Sequence, residues 1–207
     1  MTRMTKDAAH RMPEQEWRWT LGSGGSTILL AAVAALLPII EWAPRGGLVG
    51  WLLFLAGGLE MMFGWKRGLD AVGKTAVGAG ALTVLAGLLF VANPLAHYFP
   101  VANVVMAWLL LRGAWVLVMV PRVRGARLRP WLAIGGVADV LLGVGLLLGL
   151  QITTLVVTLF GPTREIVAQF ALILAVSFLV TGVAQVAIAL AERRESRTAR
   201  EMPKMRP

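Results

Sequence analysis

Five polar side chains, one in each of five apolar runs, are the candidates for chemistry in this chain: Glu60 in "LAGGLEMMFG", Thr83 in "ALTVLAG", Arg112 in "WLLLRGAWVL", Asp139 in "GGVADVLLG" and Gln185 in "TGVAQVAIAL". One guanidinium and two carboxylates in such surroundings have two chemical uses. They can form a buried ion pair that ties helices together, or they can charge and discharge as a polar pathway or proton relay. A third use turns Arg112 toward lipid headgroups or an oligomer interface. Depth in the membrane helps to choose. At about 1.5 Å per helical residue, Arg112 lies roughly 14 Å from Pro121 at the basic end of its run, and Asp139 is about equally far from Pro130. Glu60 and Gln185 are each about a turn shallower, counted from Lys66 and Glu192, and Thr83 occupies the place of Asp139 when counted from Lys74. The reading adopted is a tether in which Arg112 points into the bundle and pairs with Asp139, Glu60 being the other available partner. The relay remains the functional alternative.

Other chemistries find no residues here. The chain has no cysteine and only two histidines, His10 and His97. Disulfides, thiolate sites, His-based metal sites and Cys or His nucleophile systems are therefore not expected. "GSGGS", Gly22 to Ser26, lacks the preceding strand and following lysine of a phosphate loop and reads as a flexible lead-in to the first span. No enzyme signature, cofactor or metal is expected. His97 in "NPLAHYFP" is a candidate pH sensor, because an imidazole changes charge near neutral pH.

These residues must be positioned by membrane helices. The 207 residues are 57% hydrophobic and 15% charged, with a mean hydropathy of +0.73, against roughly 25% charged in soluble domains. Six runs have the length and apolarity of a spanning helix: Leu21 to Ile40, Gly47 to Trp65, Thr75 to Ala92, Val101 to Val120, Trp131 to Leu150 and Ile166 to Leu190. Residues 1–20 form an N-terminal segment in which Pro13, Trp17 and Trp19 predict a short interfacial helix. Residues 191–207 form a basic tail that extends the last helix for a turn or two. The expected fold is all-α, a polytopic membrane protein of six transmembrane helices arranged as three helical hairpins.

Of the 20 lysines and arginines, all but Arg45, Arg112 and Arg164 fall on one side of these spans. That asymmetry predicts that the termini and basic connections are cytoplasmic. The net charge of +9 is thereby topological and suits anionic headgroups, and nucleic acid is not an expected partner.

The hairpins repeat. Their second helices align at Gly58, Gly113 and Gly182, and their first helices at Gly87 and Gly143, small residues that let helix backbones approach. With "AGLLFVANPLAHYFPVANVVMAWLLLRGAWVLV" and the "FLVTGVAQVAIAL" ending, the chain resembles the HdeD-like, short-repeat membrane proteins over roughly residues 21 to 190. "EWAPRGG" and "QITTLVVTLFGPTRE" depart from that pattern at the first and third outer turns. The resemblance implies a non-enzymatic bacterial inner-membrane protein linked to acid resistance. The alternatives are a small channel or transporter using the polar layer, and an accessory subunit of a larger membrane complex; homo-oligomers are also compatible with the composition.

Overall fold

In a computed structural model, the chain is described over residues 4–37, 45–92, 101–123, 128–148 and 166–201. Six α-helices account for nearly all of it: α1 (Met4–Leu36), α2 (Arg45–Arg67), α3 (Ala71–Ala92), α4 (Val101–Met119), α5 (Arg129–Leu147) and α6 (Ile166–Glu201). Each contains a stretch long and apolar enough to cross a membrane. In hydrocarbon a backbone N–H or C=O has no water to bond, and a helix satisfies both within one segment. The chain is a polytopic all-α membrane protein.

Local chemistry sets the ends of several helices. α2 stops at Gly68, whose φ of +106° is in the left-handed region that a side chain disfavours, and the Gly68 N–H donates to the Trp65 carbonyl at 3.1 Å. Asp70 then caps α3, its Oδ1 accepting from the Gly73 N–H at 2.7 Å. Pro121 sits in a single 3-10 turn, Val120–Arg122, that closes α4, and Pro130 lies in the first turn of α5.

Two boundaries differ from expectation. Among the described residues no separate interfacial helix precedes the first span: α1 is continuous from Met4, and "GSGGS" is helical. That segment stays helical because it forms a packing seam. A Cβ on Gly24 would lie 2.9 Å from the Gly182 carbonyl oxygen and 2.8 Å from Val186 Cγ2 of α6, while Ser26 and Thr27 both return hydrogen bonds to the Ser23 carbonyl at 2.9 Å. At the other terminus α6 runs to Glu201, about three turns past Leu190.

Consecutive helices are neighbours, and α6 closes on α1, so the six form a ring. The closest pairs are α2 with α3, α4 with α5, and α6 with α1. These are not the sequence hairpins of α1 with α2, α3 with α4 and α5 with α6; the tight unit is offset by one helix. Each pairs the second helix of one repeat with the first helix of the next, cyclically. The same crossing holds all three together: Gly57 against Gly80, Gly113 against Gly136, and Gly182 against Gly24. A Cβ on the first residue of each pair would stand 2.5, 2.8 and 3.0 Å from its partner's carbonyl oxygen. Gly87 and Gly143 serve further along, facing Phe54 N at 2.5 Å and Leu110 Cδ2 at 2.8 Å. Gly58 does not take part. It is exposed, with nothing within 4 Å of where its Cβ would be, and its neighbour Gly57 is the equivalent of Gly113 and Gly182.

Inside the ring the half remote from the termini is an apolar core. It is built from Ala34, Leu53, Val105, Leu109, Leu174 and Phe178 among others. A smaller cluster of Val72, Val123, Leu128 and Ile188 closes the basic end. Between them lie the polar side chains. Because its Cβ would meet backbone, Gly57→Ala is expected to lose about 1 to 3 kcal/mol through overpacking. Gly58→Ala, which meets nothing, should be neutral or slightly stabilising. Thermal melting of the two purified variants checks this, and equal losses would refute the assignment of Gly57 to the seam.

Candidate functional site

The repeat register explains how the polar residues meet. Three positions after Gly24, Gly80 and Gly136 stand Thr27, Thr83 and Asp139, and directly before Gly57, Gly113 and Gly182 stand Ala56, Arg112 and Thr181. Three positions after the latter glycines stand Glu60, Val116 and Gln185. A near-symmetric scaffold thus presents equivalent positions to its axis, and a different repeat charges each.

Arg112 is 2% exposed and is the hub. Its Nη1 donates to Asp139 Oδ2 and to Thr181 Oγ1 at 3.2 Å. Its Nη2 donates to both Glu60 oxygens at 3.2 and 3.3 Å. Asp139 is 1% exposed, and its second oxygen accepts from Ser177 Oγ at 2.5 Å. Gln185 Nε2 donates to Glu60 Oε1 at 3.4 Å. The guanidinium is therefore bonded to α2, α5 and α6 at once. The choice between Asp139 and Glu60 does not arise, since Arg112 takes both.

Trp108 separates this cluster from the apolar core. The Arg112 guanidinium lies 5.9 Å from its ring centroid, and Phe178 meets it edge-on at 6.2 Å. Trp108 Nε1 donates to Thr83 Oγ1 at 3.1 Å, and Thr83 in turn donates to the Ala79 carbonyl at 2.8 Å. Thr83 is buried at the expected level, but its partner is this indole and not an ion. That is the physical consequence of a threonine where the next repeat has an aspartate: a hydroxyl can return to its own helix, a carboxylate needs a cation.

A second cluster lies nearer the basic end, and nothing in the spacing of charges singled it out. Arg67 donates to Thr20 Oγ1 and bidentately to Glu192, at 2.9 Å from Nη1 and 2.6 Å from Nη2. Asp70 stands 3.4 Å from Nε. Arg67 and Glu192 hold the same register position, ten residues after Gly57 and Gly182. Around them Lys66 lies 5.0 Å from the Trp19 ring centroid and Arg193 5.1 Å from that of Trp17, so both tryptophans anchor cations where the helices leave the apolar layer. Thr181 and Ser177 were also missed as partners of the ions. Their signal was present: Ser177, Thr181 and Gln185 recur every four residues and form one stripe of α6.

Between the two clusters lies a cavity of about 60 Å³, with walls from all six helices. Ser23, Glu60, Arg67, Arg112, Asp139 and Gln185 are among its lining. No group of three or more His, Cys, Asp or Glu placed to hold a metal ion occurs among the described residues. His97 lies outside the described residues. Comparison with protein-family models, curated proteins and solved structures finds no match.

The network makes a specific energetic statement. Arg112→Met leaves two buried carboxylates without their cation and is expected to cost about 3 to 5 kcal/mol, as other broken buried pairs do. Replacing the whole cluster, Arg112→Met with Asp139→Leu and Glu60→Gln, should recover most of that loss. Denaturant or thermal unfolding in micelles measures both, and a single variant as stable as the parent chain would contradict the pairing.

Proposed function

We propose that this chain is a non-enzymatic protein of the bacterial cytoplasmic membrane, HdeD-like in kind and protective under acid stress, with both termini in the cytoplasm. The orientation rests on the lysine and arginine asymmetry. The acid-stress role rests on the resemblance carried by the Asn-Pro turn and the repeated glycine helices. One observation most favours a packing role for the ions over conduction. Every buried polar side chain among the described residues lies level with the Arg112 cluster or on its basic side, Ser177 being the outermost, and the remaining half is apolar core. An ion on a continuous path would have to cross that core without a polar partner, which is costly in a low-dielectric interior. The arrangement suits a rigid ring.

The cavity supports a second reading, a small transporter whose polar layer opens toward one side at a time. Flux separates the two. Proteoliposomes containing the purified protein are expected to hold a pH gradient and a potassium gradient as well as empty vesicles, and a protein-dependent collapse of either would favour the transporter. In cells, a deletion strain should survive acid challenge less well than its parent and recover with the intact gene; equal survival would remove the stress reading. The absence of cysteine from the sequence makes topology directly testable. A single cysteine placed in either terminal segment is expected to react with a membrane-impermeant maleimide only after the cells are opened.

A further inference from the structure

The cavity is polar at both limits and apolar between them. At one limit are the Arg112 cluster, Ser23 and Gln185, at the other Arg67 and Thr20, and the walls between include Phe63, Val72, Ala76, Val116 and Trp131. Three buried polar atoms of its lining have no hydrogen-bond partner among the described residues: Ser23 Oγ, Gln185 Oε1 and Arg112 Nε. Ser23 is 5% exposed and Arg112 2%. Leaving such groups unpaired costs free energy, so each must be met by water or by a ligand that enters the cavity.

The charges say what kind of ligand. Asp139 has both oxygens engaged, one by Arg112 and the other by Ser177 at 2.5 Å. It is the close counter-ion of Arg112. Glu60 is met only at 3.2 Å or more, by Arg112 and by Gln185, and a carboxylate has about four acceptor sites. Arg67, the other cation of the lining, is held bidentately by Glu192. Two carboxylates thus face one guanidinium at the Arg112 limit, and a second positive charge fits beside Glu60. A bare metal cation would need a cage of about six oxygens, which the apolar wall next to Glu60 does not offer. An ammonium group carries three donors, matching Glu60, Gln185 Oε1 and Ser23 Oγ, and an attached hydrocarbon would meet Phe63, Val116 and Trp131. Arg112 Nε–H, a donor, is left for water.

We propose that the cavity is a binding site for a small primary ammonium with a compact apolar tail. The inference is independent of the acid-stress reading and does not require transport. Isothermal titration of the full-length protein in detergent tests it with butylammonium, 1-butanol and potassium ion as probes. Saturable binding of butylammonium is expected, with butanol and potassium at least about tenfold weaker, a difference of about 1.4 kcal/mol. Butanol binding equally well would reduce the site to an apolar pocket, and potassium binding equally well would make it an inorganic cation site; either result overturns the proposal, as does the absence of saturable binding. Glu60→Gln and Gln185→Leu should each weaken butylammonium by at least about tenfold, their folding being checked by thermal melting. If Glu60→Gln fails to fold, Gln185→Leu and the three probes on the unaltered protein decide, and unchanged affinity in Gln185→Leu would count against the site.

Discussion

A guanidinium at the middle of an apolar helix ring is tolerable only if several helices supply acceptors to it at one point. This requirement organises the molecule. Arg112 on α4 reaches α2 through Glu60, α5 through Asp139 and α6 through Thr181; a slip of α2 or α5 along its axis would strand a charge, and a slip of α6 would remove a hydrogen bond. Hydrophobic burial gives little guidance between helices that are already surrounded by hydrocarbon. Directional polar contacts and close backbone packing must supply the specificity instead. The ionic hub and the three glycine crossings are the two forms this takes here.

The crossings and the hub are parts of one design. Gly57, Gly113 and Gly182 bring each second helix against Gly80, Gly136 and Gly24 of the next repeat in the cycle, so residues one position before or three after these glycines are delivered to the ring axis. Backbone symmetry makes the positions equivalent, and side chains then break the equivalence. Asp139 takes the place of Thr27 and Thr83, Arg112 that of Ala56 and Thr181, Glu60 that of Val116 and Gln185. A threefold ring of identical charges would repel itself; one cation, two anions and neutral partners make a network that closes.

The axial direction is equally unequal. On one side of Trp108 the interior is sealed by aliphatic and aromatic packing around Leu53, Leu109 and Phe178. On the other, the helices leave a cavity between the Arg112 and Arg67 clusters. Arg67, Thr20 and Glu192 tie α1, α2 and α6 together at that end, so the space is held open by charge pairs at both of its limits. It is not a collapsed gap, because closing it would press apolar walls onto unpaired polar atoms.

Much of this was legible in the residues. Six apolar runs of spanning length could be nothing but helices, since lipid offers no partner to a backbone group, and an arginine and an aspartate at one depth had to face inward. Glu60 and Gln185 followed from the same depth argument. The glycine repeat was visible too, but one residue out at Gly58, because two adjacent glycines look alike until a neighbouring backbone selects the one that faces it. Three things belonged to the tertiary structure alone. Ring closure of α6 on α1 decided that the tight pairs are not the sequence hairpins and that "GSGGS" is a seam. The approach of α1, α2 and α6 joined Arg67 to Glu192 across most of the chain. The rotation of α6 turned Ser177 and Thr181 onto the ions. Depth along a helix is set by counting residues, so the sequence determines it; which face meets which neighbour depends on all six helices at once, so only their packing decides it.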